Sequence, residues 1–177
     1  MTDDALEISR LTPALRRYAQ ALSRDAAEAE DLVQETFLRA HERRAGYRRT
    51  GLRPWLFAIL HNLFVDRRRA RAAEARREAD YAALTRPDPA DGDDRLRLAQ
   101  LRALVDRLPV DQRAALLLVA VEDMPYAEAA GVLGIPVGTL MSRVARARAA
   151  LRALEAGEDR PLDDRPQLHV VGGRDGP

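Results

Sequence analysis

Apolar residues recur every three or four positions through several short stretches, and this spacing constrains the fold more than any other feature of the sequence. The first stretch contains Ile8, Leu11, Leu15, Tyr18 and Leu22. Such residues fall on one side of a helix. Aromatic residues make up only 5% of the chain, while Ala, Leu and Arg are abundant, which favours helix over sheet. The sequence therefore predicts an all-α protein.

Capping and helix-breaking residues indicate where the helices begin and end. Asp25 with Glu28 three residues later is typical of the N-cap of a second helix. Pro54 stands where a third helix can begin without losing a hydrogen bond. Pro109 and Pro125 separate further helices in the second half of the chain.

Two short helical stretches joined by Gly134 are typical of a helix-turn-helix motif. The outer face of the second stretch carries Gly138, Thr139, Ser142, Arg143 and Arg146. In such motifs this face enters the major groove, where Arg can donate two hydrogen bonds to guanine. A helical hairpin with a solvated, Arg-rich side is the alternative that spacing alone leaves open.

Charge is segregated along the chain, although the formal net charge is only +1. Residues 66–78 carry six Arg against three acids, and residues 142–153 carry four Arg and no acid. Residues 79–94 carry five Asp against one Arg, a composition typical of a linker. We therefore predict two small helical domains at 5–77 and 96–155, a flexible acidic linker at 78–95 and a disordered tail at 156–177.

The second predicted helix has two distinct faces. Its apolar face contains Leu32, Val33, Thr36, Phe37 and Ala40. Its opposite face contains Asp31, Gln34, Glu35 and Leu38. A Leu exposed among acceptor side chains favours a docking surface for another protein. A solvated face with one isolated Leu explains the pattern equally well.

The third predicted helix places an aromatic ring, an amide and a cation on one face. That face contains Trp55, Asn62, Asp66 and Arg69, and it adjoins a core stripe that includes Ile59. A ring stacks on a base, an amide contacts a base edge and a guanidinium group binds phosphate. Taken singly, Trp55 is more typical of a core and Asn62 of a solvated surface.

Several kinds of chemistry are not expected from this sequence. Cysteine is absent, and the three His, at 41, 61 and 169, show no metal-ligand spacing. We find no Gly-rich phosphate loop and no nucleophile beside a base, so we expect neither an enzyme nor a bound cofactor or metal. No run approaches the ~18 apolar residues of a membrane span, so we expect a cytoplasmic protein without membrane insertion.

Two longer segments resemble a known family. EDLVQETFLRAH (30–41) followed by LRPWLFAILHNLFVDRRR (52–69) closely resembles conserved region 2 of the extracytoplasmic-function (ECF) sigma factors. The segment LPVDQRAALLLVAVEDMPYAEAAGVLGIPVGTLMSRVARARAALR (108–152) resembles their region 4. The two segments stand in the expected order. The short N-terminus and the spacing of region 2 are similar to the general-stress subgroup of alphaproteobacteria.

The resemblance implies a function for each face. The face of Asp31, Gln34, Glu35 and Leu38 is expected to dock on the β′ clamp helices of core RNA polymerase. Residues 47–69 are expected to bind the non-template strand of the −10 element, with a base flipped into a pocket around Tyr47, Ile59 and Asn62. The helix at 137–154 is expected to bind the −35 element of promoter DNA as duplex. The subgroup implies a role in stress response and control by a small helical anti-sigma factor.

Two other functions remain open at this point. A regulator that binds duplex DNA through the helix-turn-helix alone leaves the Leu38 face and the Trp55 to Arg69 face unexplained. A sigma-like decoy that only binds an anti-sigma factor has no use for Asn62, Arg143 and Arg146. Transcription from a promoter library distinguishes these two from a sigma factor.

Overall fold

The computed structural model describes residues 2–43, 51–77 and 102–156, with side chains described at 8–43, 51–74 and 102–156. All regular elements in these ranges are helices, which confirms the all-α prediction. They are α1 (Thr2–Ser23), α2 (Ala26–Glu42), α3 (Leu52–Arg77), α4 (102–107), α5 (Val110–Leu116), a π-helical turn (Leu117–Val121), α6 (Tyr126–Leu133) and α7 (Val137–Glu155). Tyr47, the predicted linker and all but the first residue of the predicted tail lie outside the described residues.

Helices α1, α2 and α3 pack together and form the first domain. Their inner faces contribute Leu15, Leu32, Leu56 and Leu60, none of which has any solvent exposure. Burial of such faces stabilises helices of this length, because helix propensity alone is too weak. The predicted apolar stripes of the three helices are therefore the core of this domain.

The predicted N-cap of α2 is confirmed. The Asp25 side chain accepts a hydrogen bond from the backbone N–H of Glu28, 2.8 Å away. Helix α3 begins at Leu52, so Pro54 lies in its first turn, where its missing N–H costs nothing.

The second domain departs from the sequence prediction at one point. The segment between Pro109 and Pro125 was expected to be a single α-helix, but the α-helix changes after Leu116 into a π-helical turn. Within it, the N–H of Glu122 bonds to the carbonyl of Leu117 at 2.9 Å. A π-helical turn holds one more residue than an α-helical turn, so the side chains that follow it point in different directions from those of an uninterrupted α-helix. Glu122, which the uninterrupted pattern places at a solvated helix end, is buried.

The helix-turn-helix prediction is confirmed. Helix α6 ends at Leu133 and is capped by Gly134, whose left-handed backbone (φ 63°, ψ 34°) is a conformation that favours glycine. Ala129 and Ala130 of α6 are buried, as are Leu140 and Val144 of α7. Small residues on α6 permit the close packing of this motif.

The two domains pack against each other in this structure. Helix α3 contacts α6, and α1 contacts α5. The buried apolar residues of both domains form a continuous core. No helix in the described ranges is long and apolar enough to span a membrane.

The cap at the start of α2 gives a direct test of the first domain. Asp25→Ala is expected to lower the free energy of unfolding by about 1 kcal/mol, because the N–H of Glu28 loses its acceptor. Asp31→Ala is the matched control, since it removes the same group from an exposed position within the helix. Urea unfolding measures both, and equal losses in the two variants would contradict the capping role.

Candidate functional site

The predicted docking face lies on the outside of α2. Leu38 is 65% exposed there, and Asp31 and Gln34 are exposed beside it. A Leu with this exposure loses no internal packing when it binds a partner, so the geometry suits docking. The partner of this face remains a prediction.

Glu35, the fourth residue of that face, is held in place by two cations. Nη2 of Arg67 on α3 lies 2.6 Å from its Oε2, and Nη2 of Arg39 lies 2.9 Å from its Oε1. The Arg67 hydrogen bond, followed by that of Arg39, keeps the pKa of this carboxyl below its ordinary value despite partial burial. Glu35 therefore stays ionised, and it joins the docking face to the helix that carries the predicted −10 residues.

The predicted −10 residues lie along α3 but do not share one environment. Asn62, Asp66 and Arg69 are exposed along its length. Trp55 is half-buried against the core, and Ile59 is only 6% exposed. The exposed line suits contacts with DNA, whereas Ile59 belongs to the packing of the first domain. Its part in a base pocket remains a prediction.

The predicted −35 residues lie at the start and middle of α7. Gly138, Thr139 and Arg146 are exposed, and Ser142 is half-buried. Apart from its chain neighbours and the backbone of its own helix, a Cβ built on Gly138 would have no atom within 4 Å, so space is open for the backbone to approach a ligand. These residues form one surface, as the spacing predicts, and their contacts with DNA remain a prediction.

Arg143, the remaining residue of that surface, already has a partner within the protein. Its Nη2 lies 3.1 Å from Oδ2 of Asp111 on α5, and its side chain is 26% exposed. An ion-paired guanidinium group must give up this pairing before it binds a base edge in bidentate fashion. Arg146 is therefore the more accessible base-contacting candidate.

The junction between the domains contains a charged cluster that the sequence analysis missed. The Glu122 side chain is 2% exposed, and Arg17 of α1 donates to it from Nη2, 3.1 Å from Oε1. Nη2 of Arg53 on α3 lies 3.2 Å from Oε2 and also donates to the backbone carbonyl of Glu122. We call these three residues the Glu122 cluster. An acid after the apolar run 114–121 was the only sequence signal, and it indicates a solvated helix end equally well.

A second charged side chain crosses the junction in the other direction. Arg113 of α5 is 3% exposed and donates from Nη2 to the backbone carbonyl of Leu22, 3.2 Å away, near the end of α1. Burial, followed by the nearby Arg24, lowers the pKa of Arg113 to about 10. The guanidinium group stays charged at neutral pH and meets the negative end of a helix dipole.

His61 of α3 lies at the same junction. Its Nδ1 shares a hydrogen bond with the hydroxyl of Tyr18, 3.1 Å away, and the two side chains belong to the first domain. Burial lowers the pKa of His61 to about 4, partly opposed by the charge of Asp111 in the second domain. The ring is therefore neutral at physiological pH. In the part of the chain that is described, no group of His, Asp and Glu residues is placed to hold a metal ion.

Comparison with known proteins identifies two family regions in the chain. The family profile for Sigma-70 region 2 matches residues 8–74, and that for Sigma-70 region 4 matches residues 98–151. The chain is 40% identical over 172 residues to the ECF RNA polymerase sigma factor EcfG of Rhodopseudomonas palustris, covering 94% of each protein. It is 41% identical over 143 residues to the ECF RNA polymerase sigma factor SigC of Mycobacterium tuberculosis, covering 77% of this chain and 75% of that protein.

Two solved structures are also similar to this chain. The co-crystal structure of the sigma factor RpoE with the anti-sigma factor NepR from Bartonella quintana matches with a TM-score of 0.76 and 34% identity, over 90% of this chain and 100% of that one. The structure of CnrH with the cytosolic domain of CnrY matches with a TM-score of 0.65 and 29% identity, over 87% of this chain and 88% of that one.

The lowered pKa of His61 predicts a specific pH dependence of stability. The unfolded chain binds a proton at this residue near pH 6.5, but the folded chain does so only near pH 4. Between these values the unfolded state holds more protons, so the free energy of unfolding falls as the pH is lowered. We expect a loss of about 2 kcal/mol between pH 7.5 and pH 5 from this residue.

Unfolding of the variant His61→Gln at several pH values measures this contribution, because Gln does not titrate. The variant is expected to lose less stability than the natural chain over that interval. His41→Gln, at an exposed position of α2, is the matched control for the loss of an imidazole. The same dependence of the free energy of unfolding on pH in the natural chain and in both variants would show that His61 is not the residue responsible.

Proposed function

The chain belongs to the ECF family of RNA polymerase sigma factors, and from that premise we propose which of its surfaces performs each step of promoter recognition. Members of this family are transcription initiation factors and not enzymes. They associate with core RNA polymerase and direct it to promoter DNA. The assignment of residues to those steps is our proposal.

The outer face of α2 docks on the β′ clamp helices of core polymerase. What supports this is the 65% exposure of Leu38 between the acceptors Asp31 and Gln34. An apolar anchor surrounded by polar groups is typical of the centre of a protein interface. Glu35, held by Arg67 and Arg39, adds an ion-paired polar group in a fixed position to the rim.

The exposed line of α3 and the segment that contains Tyr47 bind the −10 element as an opened strand. Asn62 contacts a base edge, Arg69 binds phosphate, and Trp55 and Ile59 support the pocket from the core side. Asp66 lies between Asn62 and Arg69 along α3, one turn after Asn62. Unstacking a base costs a few kcal/mol, which contacts of this kind offset.

The surface of Gly138, Thr139, Ser142, Arg143 and Arg146 binds the −35 element as duplex. The single observation that best supports this is a complete helix-turn-helix whose second helix presents polar and Arg side chains outward. A footprint of this size binds DNA weakly by itself. Polymerase supplies the missing affinity by holding both domains at promoter spacing.

We also propose that a small helical anti-sigma factor controls the protein in a general stress response. The support is the similarity to RpoE of Bartonella quintana, whose structure was solved with the anti-sigma factor NepR. Since its target is core polymerase, we place the protein in the cytoplasm.

Transcription from a promoter library by core polymerase and the purified chain tests the proposed function. Initiation at a shared pair of −10 and −35 sequences is expected only when the chain is present. Duplex binding without initiation would instead favour a helix-turn-helix regulator. If neither occurs and an anti-sigma factor is still bound, the chain is a decoy.

The docking face is tested by Leu38→Asp. We expect affinity for core polymerase to fall about tenfold or more, because a charge replaces an apolar anchor at the centre of the contact. Met141→Asp is the matched control, since Met141 is 56% exposed on α7 and lies outside the face. A titration of labelled chain with core polymerase measures both. Equal affinities for Leu38→Asp and the natural chain would remove this assignment.

The −35 surface is tested by Arg146→Ala. Discrimination at one base pair of the element is expected to fall roughly 5- to 150-fold, which corresponds to the ~1–3 kcal/mol of a bidentate guanine contact. Arg148→Ala is the control, because Arg148 is exposed on another side of α7. It is expected to weaken all sequences alike. Initiation from a library randomised at −35 measures both, and unaltered sequence preference in Arg146→Ala would contradict the assignment.

A further inference from the structure

Two large apolar side chains are exposed next to each other at the start of α7. Val137 is 43% exposed and Met141 is 56% exposed. Four positions separate them in sequence, so they are neighbours on the surface of the helix. We call these two residues the apolar pair. Neither packs against the core, which α7 contacts through Leu140 and Val144 on its other side.

Two cations lie on the same side of α7 as the apolar pair. At 3.6 residues per turn, Arg148 and Arg152 lie within about 20° of Met141 around the helix axis. Both are exposed, and none of the described acids forms an ion pair with either. Residues 137–154 contain no Asp or Glu. A helix side with this charge attracts a polyanion, and it belongs to the second helix of a helix-turn-helix, whose first turns contact base edges in the major groove.

The chemistry of the major groove limits what the apolar pair can contact there. Base edges display hydrogen-bond donors and acceptors, together with one apolar group, the C5-methyl group of thymine. A thioether and an isopropyl group gain little from the donors and acceptors, but they exclude water from a methyl group that they touch. Met also suits such a contact because its unbranched, flexible side chain adjusts to the position of its partner.

Small residues separate Met141 from Arg146 around the helix. Gly138, Ser142 and Ala145 lie between the two long side chains, and Gly138 and Ala145 are exposed. Short side chains at these positions let the helix lie close to the base edges, with Met141 on one flank and Arg146 on the other. Five positions along an α-helix span ~7.5 Å, or about two base pairs of duplex DNA. The two side chains therefore reach different base pairs of the same short element.

We propose that Met141, with Val137 beside it, contacts the C5-methyl group of a thymine in the −35 element and so contributes to its sequence specificity. This inference rests on the proposed function, because it assigns a further base contact to the −35 surface. The thymine is expected within about three base pairs of the guanine that Arg146 binds. Because the contact is with DNA, substitutions of Met141 are expected to leave affinity for core polymerase unchanged when no DNA is present.

Replacement of thymine by uracil tests the contact, because it removes the C5-methyl group and leaves every hydrogen-bonding group in place. Each thymine of the −35 element, on either strand, is replaced in turn in a promoter that the full chain and core polymerase transcribe. Initiation by the natural chain is expected to fall roughly threefold to fivefold at one thymine, which is the effect of burying one methyl group.

Variants of the chain show whether Met141 causes that dependence. Met141→Ala is expected to lose roughly the same threefold to fivefold on the thymine template and to transcribe the uracil template no less well than the thymine template. Met141→Leu keeps an apolar side chain of similar volume and is expected to keep the dependence on the methyl group. Val121→Ala is the matched control, since Val121 is an exposed apolar residue outside α7, and it is expected to behave like the natural chain. Circular dichroism verifies the folding of each variant.

The possible outcomes separate this inference from the proposed function. Initiation by the natural chain that is indifferent to uracil at every thymine would overturn the methyl contact. An equal loss by Met141→Ala on thymine and uracil templates would also overturn it, because the apolar pair would then contact a protein surface or another part of the DNA. If the natural chain initiates on no template at all, it is the proposed function that fails.

Discussion

A carboxylate buried between two domains is the interaction on which the observed arrangement depends. Glu122 lies almost out of solvent and is neutralised by Arg17 and Arg53, which are distant from it in sequence. A charge in such surroundings is tolerated only with partners in place, so removing either domain leaves the other with incomplete pairing. The π-helical turn immediately precedes Glu122, whose N–H bonds to the carbonyl of Leu117.

Helix α3 connects the surfaces that the function requires. Its inner side forms the core of the first domain, and its outer side carries Asn62, Asp66 and Arg69. Arg67 reaches from it to Glu35 on the docking face, and its first turn supplies Arg53 to the Glu122 cluster. On the proposed assignment of surfaces, a shift of this helix acts on polymerase docking, on −10 recognition and on the position of the second domain together. That coupling suits a protein whose separate contacts are each too weak to hold a promoter.

The features that the sequence predicted are those set by local interactions. The N-cap at Asp25, the left-handed turn at Gly134 and the apolar stripes depend on residues a few positions apart, and the structure contains all of them. The junction was not predictable in this way. Glu122 and Arg17 are separated by 105 positions, and nothing in the spacing of either indicates the other. The π-helical turn was missed because a continuous apolar run has no signal for a change of helical phase. The Arg143 pairing with Asp111 was missed for a third reason: helical spacing indicates a face but not which neighbour occupies it.

Hydrogen–deuterium exchange of the full chain, free and bound to core polymerase, tests the central claim most directly, because it reports which face of the chain is covered on binding. The account predicts slower exchange in peptides around Leu38 of α2 when core polymerase is bound. Exchange around Leu38 that does not change on binding would contradict it.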